Sequence, residues 1–188
     1  HLRTNLFSQR NISYLFNNLS EENSFSKVVK EAFDKGYTEP DPRDDLNGMD
    51  VARKLLTLAR EIGLTMELSD VSVESLLPAG LENEPLEKFW KKLPAFDEQL
   101  EQRRAEAEAE GKALRYLGTL ENGKCQVSIQ KIPYGHPIAQ SGATDNIIQI
   151  STKRYFESPL TIQGPGAGVE VTAGGVFADI ISLGFHLS

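Results

Sequence analysis

The sequence predicts an α+β fold, with helices packed on one face of a mostly antiparallel or mixed sheet. Three observations carry that expectation. The N-terminal half holds segments whose apolar residues recur at helical spacing, the last third alternates apolar with polar residues, and Asn122-Gly123 joins two alternating runs as a hairpin turn would. Helices first and strands later is the order of an α+β domain. At 188 residues the chain is long enough for one domain with its own core.

Residues 1–11 match no regular pattern and are expected to be an irregular or foreign segment, leaving 12–188 as the domain. Ile12, Leu15, Phe16 and Leu19 fall on one helical face. Ser24 can cap a second helix, whose Phe25, Val28, Val29 and Phe33 face inward and which Gly36 ends. Pro40 and Pro42 then force a stiff, extended loop. Asn47 can cap a long helix with Val51, Leu55, Leu58 and Ile62 inward and Gly63 as its stop. Leu68, Val71, Val73 and Leu76 suggest a strand over 66–77. From Pro85 to Glu110 the pattern is a short helix, a break at Pro94, and a charged helix ending at Gly111. The hairpin 113–132 follows, then strands over 146–155 and 160–163, a glycine-rich turn at 164–168, and a last helix over 171–183.

Lys plus Arg is 20 against 27 for Asp plus Glu, a formal charge of −7, which argues against nucleic acid or an anionic membrane as partner. Cys125 is the single cysteine and cannot form an internal disulfide; it reads as a buried strand residue. His1, His136 and His186 have no zinc spacing, so no metal site is expected. No uninterrupted apolar run approaches the ~20 residues of a membrane span, and His1-Leu2-Arg3-Thr4 lacks the apolar core of a secretory signal. The expectation is a soluble, cytoplasmic protein.

Glu39, Asp41, Arg43, Asp44 and Asp45 crowd the proline-stiffened loop, and Asp50 and Lys54 follow one helical turn apart. A lysine aimed and kept charged by an aspartate can polarise a carbonyl oxygen or hand it a proton. The same i,i+4 pair also suits plain surface decoration, and acids ahead of a helix suit ordinary capping.

The run from Gly36-Tyr37-Thr38-Glu39-Pro40-Asp41-Pro42-Arg43-Asp44-Asp45 through Asn47-Gly48-Met49-Asp50-Val51-Ala52-Arg53-Lys54 closely resembles the signature of homoserine dehydrogenase. The likeness extends to Ile12–Asn17 and to 164–179, nearly the whole chain. It implies the C-terminal catalytic and dimerisation part of that family, as also found fused to aspartokinase. The reaction so implied is reversible NAD(P)-dependent hydride transfer between L-homoserine and L-aspartate 4-semialdehyde, in threonine and methionine biosynthesis, by a homodimer. By position, Lys54 is the catalytic lysine with Asp50 beside it, and Tyr37, Thr38, Glu39 and Asp45 form the substrate pocket.

Two departures from the family pattern stand out. The Ser-Gly-Thr expected ahead of the first helix is Gln9-Arg10-Asn11 here, which suggests Arg10 for the substrate carboxylate. There is also no strand–glycine loop–helix unit with an acid ~20 residues on, so a fragment lacking its nucleotide-binding domain is expected. Gly164, Gly166 and Gly168 resemble a dinucleotide loop, but only 20 residues follow Gly168. Gly166 and Gly168 are therefore weak cofactor-binding candidates, and a tight structural turn is the favoured reading. In the family this segment lies near the nicotinamide and the last helix packs on the nucleotide domain. Two other readings stand beside the enzyme: an amino-acid-sensing regulatory module, and a structural dimerisation fragment with an idle pocket.

Overall fold

The computed structural model describes residues 2–7, 10–142, 145–166 and 168–187. Its frame is a six-stranded sheet, in the order β2-β4-β3-β1-β5-β6. The strands are β1 (Arg3–Phe7), β2 (Ser72–Val73), β3 (Lys112–Glu121), β4 (Lys124–Pro133), β5 (Asp145–Ser151) and β6 (Leu160–Pro165). Every pairing is antiparallel except β2 with β4. The mixed α+β fold is thus the one the sequence predicts.

Around the sheet lie α1 (Arg10–Asn18), α2 (Phe25–Asp34), the one-turn α3 (Arg43–Leu46), α4 (Met49–Glu61), α5 (Leu86–Lys92), α6 (Asp97–Ala109) and α7 (Val169–Leu187). Leu114, Tyr116 and Leu120 of β3, with Cys125 and Val127 of β4, face the buried apolar side chains of α1, α2 and α4 in one core. The contact is close because β3 carries Gly118 in mid-strand: a Cβ there would meet Val51 at 3.2 Å and Leu55 at 3.5 Å. On the opposite sheet face, Gln126, Thr119, Asn5, Gln149 and Thr161 stand in register across five strands. There Leu117, Ile138 and Ile147 make a small second cluster.

Local chemistry explains most element ends. Asn122 (φ 51°) and Gly123 (φ 75°) are both left-handed, as a two-residue hairpin turn requires. Pro94 falls in a 3-10 turn, Leu93–Phe96, that separates α5 from α6. Cys125 is buried, its thiol pushed up by burial, 3.9 Å from the Met66 sulfur.

Four expectations are corrected. The segment 1–11 is not irregular: residues 3–7 form β1, paired on both sides in mid-sheet with β3 and β5. Over 66–77 only Ser72–Val73 pairs as strand, because Glu67 and Asp70 cap each other around a 3-10 turn at Leu68–Asp70. The α2 N-terminus is held not by the Ser24 side chain but by Asp97, which accepts from the Ser26 N–H and Oγ, both at 2.7 Å. The last helix runs Val169–Leu187, and by length and composition it suffices to cross a membrane although Glu170, Asp179 and its glycines interrupt any apolar run. Its described side chains are all exposed.

Candidate active site

The site forms where the proline loop turns into α3 and α4. The expected extended loop bends instead: Pro42, at φ −64° and ψ −13°, is already helical and starts α3, which carries Asp45 inward to 6% exposure. Burial pushes the Asp45 carboxyl up from 3.8 to about 6. The Glu39 backbone N–H and the Asn11 side chain oppose that shift, while the nearby Glu39 and Asp44 charges add to it. The Glu39 N–H donates to Asp45 Oδ2 at 2.8 Å, so the buried carboxylate fixes the loop that carries Glu39. Asn11, Thr38 and Asp45 line one small cavity with Ile12, Val29 and Leu46. Tyr37 lies at that corner too, its ring edge-on to Tyr14 at 5.3 Å. Tyr14 is fixed in turn by the Lys35 ammonium, which donates to its hydroxyl, and by Glu31, whose carboxylate accepts from it at 3.2 Å.

The second half of the site comes from α4. The cap of α4 is Gly48, at φ 76°, and not Asn47 as the sequence suggests; Asn47 ends α3, and its Oδ1 accepts the Met49 N–H at 2.8 Å in the turn between the two helices. Val51, Leu55 and Ala59 point into the core, so the orientation of Asp50 and Lys54 follows from packing. Lys54 Nζ lies 2.9 Å from Asp50 Oδ2, with the two side chains 43% and 40% exposed. Such a half-solvated pair adds little stability.

The structure therefore brings Thr38, Glu39 and Asp45 together, packs Tyr37 beside them, and pairs Asp50 with Lys54. It does not join Gly166 and Gly168 to them. These glycines follow β6, three strands from β3 and so about 14 Å across the sheet. A Cβ on Gly166 would stand 1.4 Å from the Asn146 amide nitrogen, and Gly168 has φ 141°. Packing restricts the first position and backbone conformation the second. Arg10's side chain lies outside the described residues.

Sequence reading missed two contributors. Arg43 pairs with Asp41 and donates to the carbonyls of Leu81, Glu82 and Glu84, at 3.4, 3.2 and 2.6 Å, clamping the acidic loop to the segment after β2. The Leu46 carbonyl accepts from the N–H groups of both Leu76 (2.8 Å) and Leu77 (3.1 Å). Backbone acceptors so distant in sequence leave no local pattern. Among the described residues no group of three His, Cys, Asp or Glu could hold a metal ion.

Solved structures share this architecture. A protein of unknown function from Candida auris superposes with TM-score 0.91 at 44% identity, over 96% of this chain and 52% of that one. A putative homoserine dehydrogenase from Archaeoglobus fulgidus gives 0.72 at 25%, over 96% and 50%. The class is thus the mixed α+β fold that these two structures share. The family model for homoserine dehydrogenase matches residues 10–181. A bifunctional aspartokinase/homoserine dehydrogenase of Zea mays is 52% identical over 94% of this chain, and homoserine dehydrogenase of Saccharomyces cerevisiae 45% identical over 94%. The chain belongs to the homoserine dehydrogenase family. It spans 20% of the length of the maize relative and 51% of the yeast one.

Proposed function

We propose that this chain supplies the substrate-binding and proton-handling half of a homoserine dehydrogenase, interconverting L-aspartate 4-semialdehyde and L-homoserine. The observation that carries the reading is a buried, loop-fixing carboxylate at Asp45, five residues ahead in sequence of the Asp50–Lys54 ion pair on α4. In the reducing direction Lys54 meets the aldehyde oxygen as it becomes an alkoxide, stabilises its negative charge and gives it a proton. Asp50 keeps the ammonium charged and aimed. Glu39 and Asp45 receive the substrate ammonium, and Tyr37 with Thr38 closes the corner.

Among the described residues no βαβ unit surrounds the glycines of 164–168, where a Cβ on Gly166 would collide with Asn146 and Gly168 holds φ 141°. We assign NAD(P), whose chemistry here is the donation or acceptance of a hydride, to a domain outside this chain. The exposed apolar α7, with Val176, Phe177, Ile180 and Ile181 all open to solvent, supports that reading as the surface on which such a domain packs. Exposed Leu160 and Ile162 on β6, an open edge strand, support a homodimer. A cytoplasmic, soluble protein acting on a small molecule is the setting we propose.

The test is fusion of this chain to the nucleotide-binding part of the yeast relative, following homoserine-dependent NADPH formation by absorbance. Activity is expected, and Lys54→Ala should lower kcat about 10²–10⁴-fold. An unchanged kcat in that variant would remove Lys54 from the chemistry.

A further inference from the structure

A sizeable cavity lies away from the acidic loop. It encloses about 470 Å³, within the usual range of small-molecule sites, between the segment after β2 and the start of α6. Phe25, Leu76, Phe96, Leu100 and Ile129 make its apolar body. Its single lining cation is Arg103, which donates through Nη1 to Glu74 Oε1 at 2.6 Å. Both Glu74 carboxylate oxygens are engaged, because its Oε2 accepts the Ile129 N–H at 3.0 Å. Its carboxylate is thereby a fixed buttress that orients the guanidinium. That ion pair uses one of five guanidinium N–H groups, so Arg103 retains donors for a second planar acceptor.

We infer that this cavity is a second small-molecule site, for an organic monocarboxylate with an apolar body. The carboxylate meets Arg103, and Gln99 at the rim adds an amide donor. Glu74 and Glu82 outnumber the one cation in the lining, which disfavours multiply charged ligands such as phosphate esters.

The site is wired to the acidic loop. Leu76 and Leu77 line the cavity, and their N–H groups both end on the Leu46 carbonyl, one residue after Asp45. Glu82, also in the lining, offers its backbone carbonyl to Arg43, which anchors the loop from the other side. A ligand that shifts the segment 74–82 therefore shifts the frame holding Asp45, and the coupling is reciprocal. Binding itself is independent of the proposed reaction; only the regulatory consequence rests on that reading.

The test is titration of the isotope-labelled 188-residue chain with 3-phenylpropionate and, separately, its uncharged amide, 3-phenylpropanamide, followed by amide chemical shifts. Saturable shifts are expected at 74–79 and 99–103 and at Glu39 and Asp45, with the acid at least tenfold tighter than the amide. Arg103→Met should weaken the acid at least tenfold, and Ala79→Trp, an exposed position that blocks the mouth without touching the ion pair, should do the same. Equal binding of acid and amide, no saturation with the acid, or undiminished binding in both variants would overturn the site. Shifts that stop at Leu77 would overturn its connection to the loop.

Discussion

Replacing Asp45 with Asn should make the protein more stable at neutral pH while disabling the site. Asp45 is 6% exposed, and burial pushes its carboxyl up from 3.8 to about 6. Below pH ~3.8 the group is protonated whether the chain is folded or not, and its ionisation costs nothing. As pH rises towards 6 the unfolded chain releases its proton while the folded chain resists, so stability is lost across that window and the loss is complete above it. A difference of about 2 units corresponds to about 3 kcal/mol. Asparagine keeps an Oδ acceptor for the Glu39 N–H but carries no charge. Asp45→Asn should therefore gain about 1–3 kcal/mol at pH 7 and almost nothing near pH 3.8. With a urea slope of about 2 kcal/mol per molar, the unfolding midpoint at pH 7 rises by about 0.5–1.5 M. The assay is urea unfolding by circular dichroism at several pH values between 4 and 7. If the two midpoint curves run parallel, or the variant is the less stable at pH 7, the argument from burial is wrong. A stabilised but inactive variant is the expected signature of a buried charge kept for function.

Other perturbations separate structure from chemistry. Gly48→Ala should cost about 3–5 kcal/mol in the same unfolding assay. It loads a left-handed position and sets a Cβ 2.1 Å from the Tyr116 hydroxyl, which donates to the Glu74 carbonyl at 2.7 Å; adding Tyr116→Phe should recover part of that loss. Asp50→Asn should change stability by less than about 0.5 kcal/mol, since the pair with Lys54 is half-exposed. In the fused enzyme it should lower kcat tenfold or more, and a stability loss with unaltered kcat would make the pair decoration. Arg43→Met should cost about 1–2 kcal/mol by releasing the carbonyls of Leu81, Glu82 and Glu84, with faster hydrogen exchange over 78–85 as its local mark.

What could be read from the chain was what local chemistry decides. Asn122-Gly123 defines its hairpin because both residues tolerate positive φ, and the spacing of Val51 and Leu55 defines the buried face of α4. The acidic loop was legible as a motif, and Asp50 with Lys54 as a pair, because i,i+4 neighbours meet on any helix. Partners far along the chain were not legible. Ser24 has the right residue type and place for a cap, yet Asp97, 71 residues beyond Ser26, takes the role. Ile62 fits the apolar stripe of α4 but is 48% exposed, since the helix has already ended at Glu61. Asp45 looks like one more surface acid in sequence; only the packing of α1 and α2 around it makes its charge costly.

The five residues of β1 are the keystone of the molecule. Without them β2-β4-β3 and β5-β6 are two separate ribbons, for β3 and β5 meet only through that strand. Its pairing of Arg3 with Glu121 and with Ser151 closes spans of more than a hundred residues, at an entropic cost of about 4 kcal/mol for the first closure. Assembly is therefore expected to finish with β1, long after the local hairpin has zipped. A chain shorn of residues 3–7 bares two raw sheet margins facing each other, and an extended stretch borrowed from a neighbouring molecule is the natural wedge to fill the gap.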